Sequence, residues 1–435
     1  MDKKLKVAFY TLGCKVNQYE TNAMAQKFLE NGYDVVSFEE NADIYIINTC
    51  TVTNMSDKKS REILRRAKKQ NKDSILVAVG CYAQVNKEKL EEIKEIDLIL
   101  GTNEKNDIVN FIEKYIKDRT KEEVVTDVMK QINFKDFGTI TYTDKNRAAI
   151  KVQDGCDRFC SYCIIPYARG RVRSRKIESV VKEAEEISKR GIKEIVITGI
   201  HIASYGKDFK EDITLIDLLE ALNKIPTIER IRLGSLEPKL MTEEFIKRLV
   251  KLEKVCDHFH LSLQSGCNST LKRMNRRYTT EEFYDVVTLL RKSYPNVALT
   301  TDIIVGFPGE TDEEFEETYK FLEKVDFYKM HVFKYSPRSG TKAAEMENQV
   351  DGNKKEERSN RLLELSDKNG INQNKQYIGK IVDVLWEEKK GEWMIGHTTN
   401  YIEVKAKSNN NLENEISKVK IDNTDNLELM GNIVK

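Results

Sequence analysis

Nowhere do the 435 residues of this sequence offer the roughly 18 consecutive apolar positions that a bilayer-spanning helix needs. A membrane-spanning helix is therefore not expected. The start, MDKKLKVAFYTLGC, lacks a small-residue cleavage site and reads as a first β-strand rather than a signal peptide, so a cytoplasmic protein is expected. Net charge is also nearly missing: 72 basic against 71 acidic residues leave +1, so only local clustering can speak for a nucleic-acid partner. There is no internal repeat and no low-complexity tract. What is there is 40% hydrophobic and 33% charged, a soluble, highly charged composition. The length exceeds one ordinary core, and two or three domains are expected. Eight cysteines in a reducing compartment point to metal or redox chemistry rather than to disulfides.

The first third alternates short β-branched runs (LKVAFYT, DVVSF, DIYIINT, SILVAVG, IDLIL) with helical stretches such as QYETNAMAQKFLENG, MSDKKSREILRRAKKQ and NKEKLEEIKE. That alternation predicts an α/β fold with a doubly wound parallel sheet over residues 1–135. From Phe134 to Asn146 the text turns polar and irregular, as in a linker. RAAIKVQD then opens a second series, continued by KEIVITG, RIRLGS, HFHLSLQ, ALTTDIIVG and YKMHVFKYS. Six strands with helices between them predict a partial (β/α)6 barrel over 142–370, with its site at the strands' C-terminal ends. A polar helix from about Lys354 to Gln376 leads to KIVDVLWEE, EWMIGHT, YIEVKAK, EISKVKID and LELMGNIV. Their alternation predicts a small antiparallel β-barrel of OB-like type over 371–435, a shape suited to nucleic acid.

CDRFCSYC sets Cys156, Cys160 and Cys163 on one loop after a strand. Three thiolates so placed can reach one iron–sulfur cluster; a [4Fe–4S] cube would keep one iron open. A zinc site short of its fourth ligand, or a cysteine pair with a bystander, is the competing reading. Cys14, Cys50 and Cys81 each follow a strand, LKVAFYT, DIYIINT and SILVAVG. In a doubly wound sheet those positions share the edge where ligands bind, so a second three-thiolate cluster competes with three unrelated buried thiols. Cys256 and Cys267 join no triplet and are read as bystanders.

The C-x3-C-x-aromatic-C spacing, with Tyr162 beside the last cysteine, resembles the radical S-adenosylmethionine superfamily. Together with TLGCKVNQYET, INTCTVTN, VGCYAQ, QDGCDRFCSYCIIPYARGRVRSR, TGIHIASYG, LSLQSG and DIIVGFPGET, it resembles the methylthiotransferase family over nearly the whole chain. The terminal barrel is similar to a TRAM domain. The resemblance implies two [4Fe–4S] clusters: an auxiliary one on Cys14, Cys50 and Cys81 that handles sulfur, and one on Cys156, Cys160 and Cys163. The latter would bind S-adenosylmethionine and cleave it to a 5′-deoxyadenosyl radical, with no side chain acting as acid or base. GCKVNQYET resembles the branch that acts on N6-threonylcarbamoyladenosine beside the anticodon; Asn22, where an acidic residue is expected, departs from it. The expected partners are the anticodon arm of tRNA, an electron donor such as flavodoxin or ferredoxin, and a sulfur source. Methylthiolation of isopentenyladenosine or of a ribosomal-protein aspartate, and a non-enzymatic iron–sulfur RNA-binding or redox-sensing role, are the alternatives.

Further candidates lie at strand ends: Gly199, Glu237 and Gln264, with Asp154 before the cysteine loop. With Tyr162, Asp302 and Gly306, the first three are read as S-adenosylmethionine contacts, although GFPGET can equally be a tight turn with Gly306 and Gly309 serving backbone geometry. Arg169, Arg171, Arg173 and Arg175 in RGRVRSRK are read as RNA contacts, since guanidinium suits phosphate. KKSREILRRAKK and KRMNRR compete between that role and solvated helix faces. Trp386, Trp393 and Tyr401 could stack on bases or form the barrel core. The histidines show no metal spacing; His258 and His260 share one face of a strand and are expected inside the barrel.

Overall fold

The computed structural model describes residues 4–143 and 146–434. The first five apolar runs become parallel strands β1 (Lys6–Thr11), β2 (Asp34–Val36), β3 (Ile44–Thr49), β4 (Ile75–Gly80) and β5 (Leu98–Leu100). A short sixth, β6 (Glu122–Val124), completes a sheet of order β2-β1-β3-β4-β5-β6. Alternate residues supply two cores, as a two-faced sheet requires. Ala8, Tyr45, Ile47, Leu76 and Ala78 meet the helix Asn54–Gln70 on one side. Val7, Ile44, Ile46, Val77 and Val79 meet Met24 and Phe28 of the helix Lys15–Glu30, and Ile108 and Ile112 of the helix Ile108–Asp118, on the other. The sheet is doubly wound, as predicted.

Two elements were not foreseen. The helix Ile108–Asp118 packs on one face of the sheet, while strand β6, mostly acidic in sequence (EEV), lies at the sheet's far edge, where a strand pairs on one side only and needs little apolar character. The run expected as one helix, NKEKLEEIKE, contributes only Lys87–Glu91, after a separate turn of helix at Cys81–Val85. Of the expected linker, the described residues 134–143 and 146 carry no regular element; 144 and 145 lie outside the described residues.

The second series gives β7 (Arg147–Asp154), with β8 (Arg173–Ser174) antiparallel to it, then β9 (Glu194–Gly199), β10 (Arg230–Leu233), β11 (His258–His260), β12 (Ala298–Val305) and β13 (Lys329–Lys334). β7, β9 and β10 are parallel, as are β11, β12 and β13, and isolated parallel bridges Ile231–Val255 and Leu236–Leu261 join the two sets. This is the expected six-stranded partial barrel around one large aliphatic core. The expected long helix is present at Gly352–Lys375.

Strands β14 (Ile381–Lys390), β15 (Trp393–Thr398), β16 (Glu403–Lys407), β17 (Ile416–Asp425) and β18 (Glu428–Ile433) close a barrel of order β14-β15-β16-β18-β17. Its pairings are antiparallel except β16–β18, which is parallel. Trp386 is fully buried in this barrel with Val384, Met394 and Val404, which decides for core over base stacking at that position. The barrel docks on the N-terminal ends of the larger one. Arg230 donates to the carbonyls of His397 and Asp383 (2.9 and 3.0 Å), and Arg232 to that of Thr399 (2.9 Å).

Candidate functional site

Cys14, Cys50 and Cys81 stand just past the C-terminal ends of β1, β3 and β4, three adjacent strands of the first sheet. Backbone shape and a few buried polar side chains bring the loops together. Gly13 has φ +99°, and a Cβ there would come within 2.8 Å of the Cys50 sulfur; at Gly80 (φ +107°) one would meet the Asn48 amide oxygen at 2.6 Å. Both glycines are thus required twice, by conformation and by space. Asn17 donates its side-chain amide to the carbonyls of Leu12 (2.7 Å) and Thr49 (3.2 Å), tying the first two cysteine loops together. The Thr49 hydroxyl donates to the Val79 carbonyl (2.8 Å) and accepts from Ala83 N–H, which ties in the third. Burial and the neighbouring Cys81 push the Cys50 thiol up to about 11.

Cys156, Cys160 and Cys163 form the loop after β7. Gly155 (φ +72°) is pressed so closely on the Arg171 carbonyl that a Cβ would fall 1.8 Å from it. Cys156 N–H bonds the Gly170 carbonyl (3.0 Å), and Cys163 N–H that of Cys160 (2.9 Å). The KRMNRR segment cradles the loop: Ser161 donates to the carbonyls of Met274 and Arg273, and Asn275 donates to that of Phe159. Arg276 points Nη1 at the Cys160 sulfur at 3.3 Å. Burial and the adjacent thiols raise Cys156 to about 11 and Cys163 to about 12.

Each triad fits three ligands of a cube. Metal binding supplies the positive charge that lets such thiols deprotonate. Among the described residues no three His, Cys, Asp or Glu side chains are close enough to hold one metal ion. Cys256 is fully buried without a ligand partner, and Cys267 faces Glu317 (3.2 Å); both stay outside the triads.

The basic run after the second triad corrects an expectation. Arg169, Arg173 and Arg175 are almost fully buried and cannot reach a phosphate in this arrangement. Arg175 pairs with Glu183 and Asp136, and Arg173 with Asp154. Arg169 places Nε 3.2 Å from the Cys81 sulfur and binds Asn17 and Glu20 through its other nitrogens. Their partners lie up to 156 residues away, so the local text reads as a surface run while the fold makes it an interior one. Of the four arginines Arg171 alone is exposed, pairing with Asp157 and stacking on Phe159. On the helix Asn54–Gln70, Lys58, Lys59, Arg65, Arg66 and Lys69 are exposed.

The other expected residues divide. Glu237 is buried against Arg158 and His201 (3.3 Å); burial alone would raise it, but His201, Arg158 and Arg276 hold it down at about 2. Asp154, likewise held near about 2 despite its burial, pairs with Lys151 (2.6 Å) and accepts from Gly155 N–H. Gln264 has φ +76°, rare for a residue with a Cβ, and bonds β12 at Asp302 and Ile304 through its backbone. Gly199 is crowded by Gln153, whose carbonyl would lie 2.9 Å from a Cβ. Gly306 belongs to the turn reading: its N–H is taken by Glu310 (2.6 Å), so it is not offered to a cofactor. Tyr162 packs beside Phe307.

Asp302 lies elsewhere, in a polar hollow of about 510 Å³ where all three parts of the chain meet. Lys15 beside Cys14, His258, His260 and His331 of the larger barrel, and His397 and Tyr401 of the small one line it. Four of the five histidines thus share one space. Asp302 holds His260 at 3.1 Å, and Thr300 links His260 to His258. Tyr401 stacks on His397 (4.5 Å) beneath Arg147 and Arg232, a wedge between the barrels, whereas Trp393 sits under Lys407.

Sequence reasoning missed Arg338. Buried beyond β13, it donates to Thr51 (2.6 Å), Asn54 (2.8 Å) and Asp57 (2.7 Å), pinning the Cys50 loop to the barrel. The only signal was an arginine in the short turn-rich text YSPRSG.

Comparison with known proteins agrees with this geometry. Residues 150–322 match the model of the Radical SAM superfamily, and residues 6–101 that of Uncharacterized protein family UPF0004. The chain is 44% identical to threonylcarbamoyladenosine tRNA methylthiotransferase MtaB of Bacillus subtilis, over 95% of this chain and 93% of that protein. It is 42% identical to the protein of the same name from Aquifex aeolicus (92% and 96%), and 37% identical to the tRNA-2-methylthio-N(6)-dimethylallyladenosine synthase of Alkaliphilus oremlandii (88% and 83%). In fold it is similar to the radical S-adenosylmethionine methyltransferase TsrM of Kitasatospora setae, with TM-score 0.56 at 17% identity over 76% of this chain and 73% of that one.

Proposed function

Since this chain belongs to the methylthiotransferase family of radical S-adenosylmethionine enzymes, we propose that it methylthiolates C2 of N6-threonylcarbamoyladenosine next to the anticodon of tRNA. The product is 2-methylthio-N6-threonylcarbamoyladenosine. When bound, two [4Fe–4S] clusters and S-adenosylmethionine supply the chemistry that side chains lack: a carbon radical and a sulfur to transfer to it.

The chain's own residues hold and shield that chemistry. Cys156, Cys160 and Cys163 hold the cluster that engages S-adenosylmethionine, with Arg276 against Cys160 and the Glu237–Arg158 pair stiffening the loop. Cys14, Cys50 and Cys81 hold the auxiliary cluster, fixed by Asn17, Thr49 and Arg338. The hollow lined by Lys15, Asp302 and the histidines has the size of a small-molecule site and includes Lys15, the residue after Cys14, which suits it to receive the target base. Exposed Arg171, with the lysines and arginines of the helix Asn54–Gln70, is offered to phosphates of the anticodon arm.

On this reading the functional units are residues 1–135, 142–370 and 371–435. The work is cytoplasmic and draws on a flavodoxin- or ferredoxin-like electron donor and an external sulfur source. No helix among the described residues is long and apolar enough to cross a membrane.

The observation that carries the reading is the pair of cysteine triads, each at the C-terminal edge of its own parallel sheet. The test is mass spectrometry of tRNA nucleosides from a strain lacking this chain. Loss of 2-methylthio-N6-threonylcarbamoyladenosine is expected. An unchanged level, or loss of the isopentenyladenosine product instead, rejects the substrate.

A further inference from the structure

Between the two triads lies a buried cluster of charges that the reaction as described does not use. Glu20, one and a half turns into the helix after Cys14, pairs with Lys105, Lys151 and Arg169. Asp154, two residues before Cys156, pairs with Lys151 and lies within reach of Arg169 (3.5 Å) and Arg173 (3.6 Å). All six are buried or nearly so. Four cations therefore face two carboxylates, and Nε and Nη1 of Arg173 have no hydrogen-bond partner. An excess of buried positive charge is costly unless an anion answers it.

The anions at hand are the cysteine sulfurs of the auxiliary triad. Arg169, fully buried, directs Nε at the Cys81 sulfur from 3.2 Å, and its charge also reaches Cys14. It does so from the other part of the chain, on the helix Ile165–Arg169 that closes the second cysteine loop. Adding an electron to a thiolate-bound cluster makes it more negative, so a hydrogen-bond donor and a buried cation at its sulfur favour the reduced form.

We propose that Arg169 is a positioning residue that sets the reduction potential of the auxiliary cluster, holding it more positive through the Cys81 sulfur while leaving the other cluster unaffected. This rests on the assignment of Cys14, Cys50 and Cys81 as ligands.

The test uses the full chain reconstituted with iron and sulfide, with Cys156, Cys160 and Cys163 replaced by alanine so that one cluster remains. Its potential is read by mediator titration with electron paramagnetic resonance. Arg169→Gln removes the donor and the charge; losing one charge-assisted hydrogen bond makes reduction about tenfold less favourable, ~59 mV more negative for one electron. Arg169→Lys keeps the charge without the Nε–H and gives a smaller negative shift. Glu20→Gln, which unmasks positive charge without touching a cysteine, shifts the potential the opposite way, a sign that mere loosening does not produce. In the complementary chain, with Cys14, Cys50 and Cys81 replaced, Arg169→Gln leaves the remaining couple in place. If Arg169→Gln takes up no iron, Arg169→Lys and Glu20→Gln decide. Retained iron with an unmoved potential, or equal shifts in both backgrounds, overturns the role of Arg169 alone. A chain without Cys156, Cys160 and Cys163 that binds no iron at all overturns the ligand assignment, and the role of Arg169 with it.

Discussion

The two cysteine triads reach similar ends by opposite routes. Cys156, Cys160 and Cys163 lie within eight residues, and one loop shapes them: Gly155 turns it and the KRMNRR segment supports it through backbone carbonyls. Cys14, Cys50 and Cys81 come from three strands, and what aligns them is sheet register plus the buried Asn17 amide, Thr49 hydroxyl and Arg338 guanidinium. A local site depends on backbone shape, whereas a dispersed one depends on the fold and on polar contacts made over long separations. The local site is shaped within the barrel, whereas the dispersed one also takes contacts across the docked parts, from Arg338 and Arg169.

The largest effects separate the two triads by function. Cys160→Ala is expected to abolish reductive cleavage of S-adenosylmethionine. Cys50→Ala is expected to leave cleavage intact and lose methylthiolation. Both are read by 5′-deoxyadenosine release and nucleoside mass spectrometry on the same samples, and methylthiolation surviving in Cys50→Ala sinks the auxiliary assignment.

Next come the turns. Gly155→Ala forces a left-handed residue and a Cβ into the Arg171 carbonyl, so a loss of several kcal/mol and of the second triad's iron is expected, beyond the ~1–3 kcal/mol of backbone strain alone. At Gly13 the obstacle is the Cys50 side chain, which can turn aside, and Gly13→Ala should be milder in stability while costing iron at the auxiliary triad only. Iron content and thermal unfolding compare the pair; equal losses at both sites erase the distinction between local and dispersed construction.

A subtler comparison sets two asparagines side by side. Asn17→Ala leaves the buried carbonyls of Leu12 and Thr49 and the Arg169 guanidinium short of partners, a cost of about 1–3 kcal/mol. Asn275→Ala removes an exposed bond to the Phe159 carbonyl that water can replace, and should cost under about 1 kcal/mol. Denaturant midpoints distinguish them, and a reversed order means that polar side chains do not hold the dispersed triad.

The same contrast explains what the sequence could and could not reveal. The short triad was legible outright, and the dispersed one through its strand ends, because β-branched runs ending in cysteine survive as local text. The six barrel strands were legible for the same reason. Strand β6 was not, since an edge strand of two glutamates and a valine has no apolar signature. Neither were the interiors of Arg169, Arg173 and Arg175: a run of arginines acquires its partners Glu20, Asp154 and Glu183 only after the sheets pack. Gly306 was ambiguous in the text, and Glu310 taking its N–H decides for the turn.

The last effect, confined to acid pH, tests whether the local triad also relies on a long-range ion pair. Glu237 lies beyond β10, yet it holds Arg158 inside the cysteine loop. Its carboxyl falls from an ordinary 4.5 to about 2 in the fold, against the opposing pull of burial. A depressed folded value means that the ionised form stabilises the fold above the unfolded value and that this contribution fades as pH falls from about 4.5 to 2. The shift corresponds to at most about 3 kcal/mol, so the wild type should lose roughly that much more than Glu237→Gln across this window. Near neutral pH the variant is the weaker of the two, and the gap closes toward pH 2. Urea midpoints measured side by side at equal iron content follow it. A gap that stays constant with pH assigns the Glu237 contribution to packing, and the second triad then stands on its loop alone.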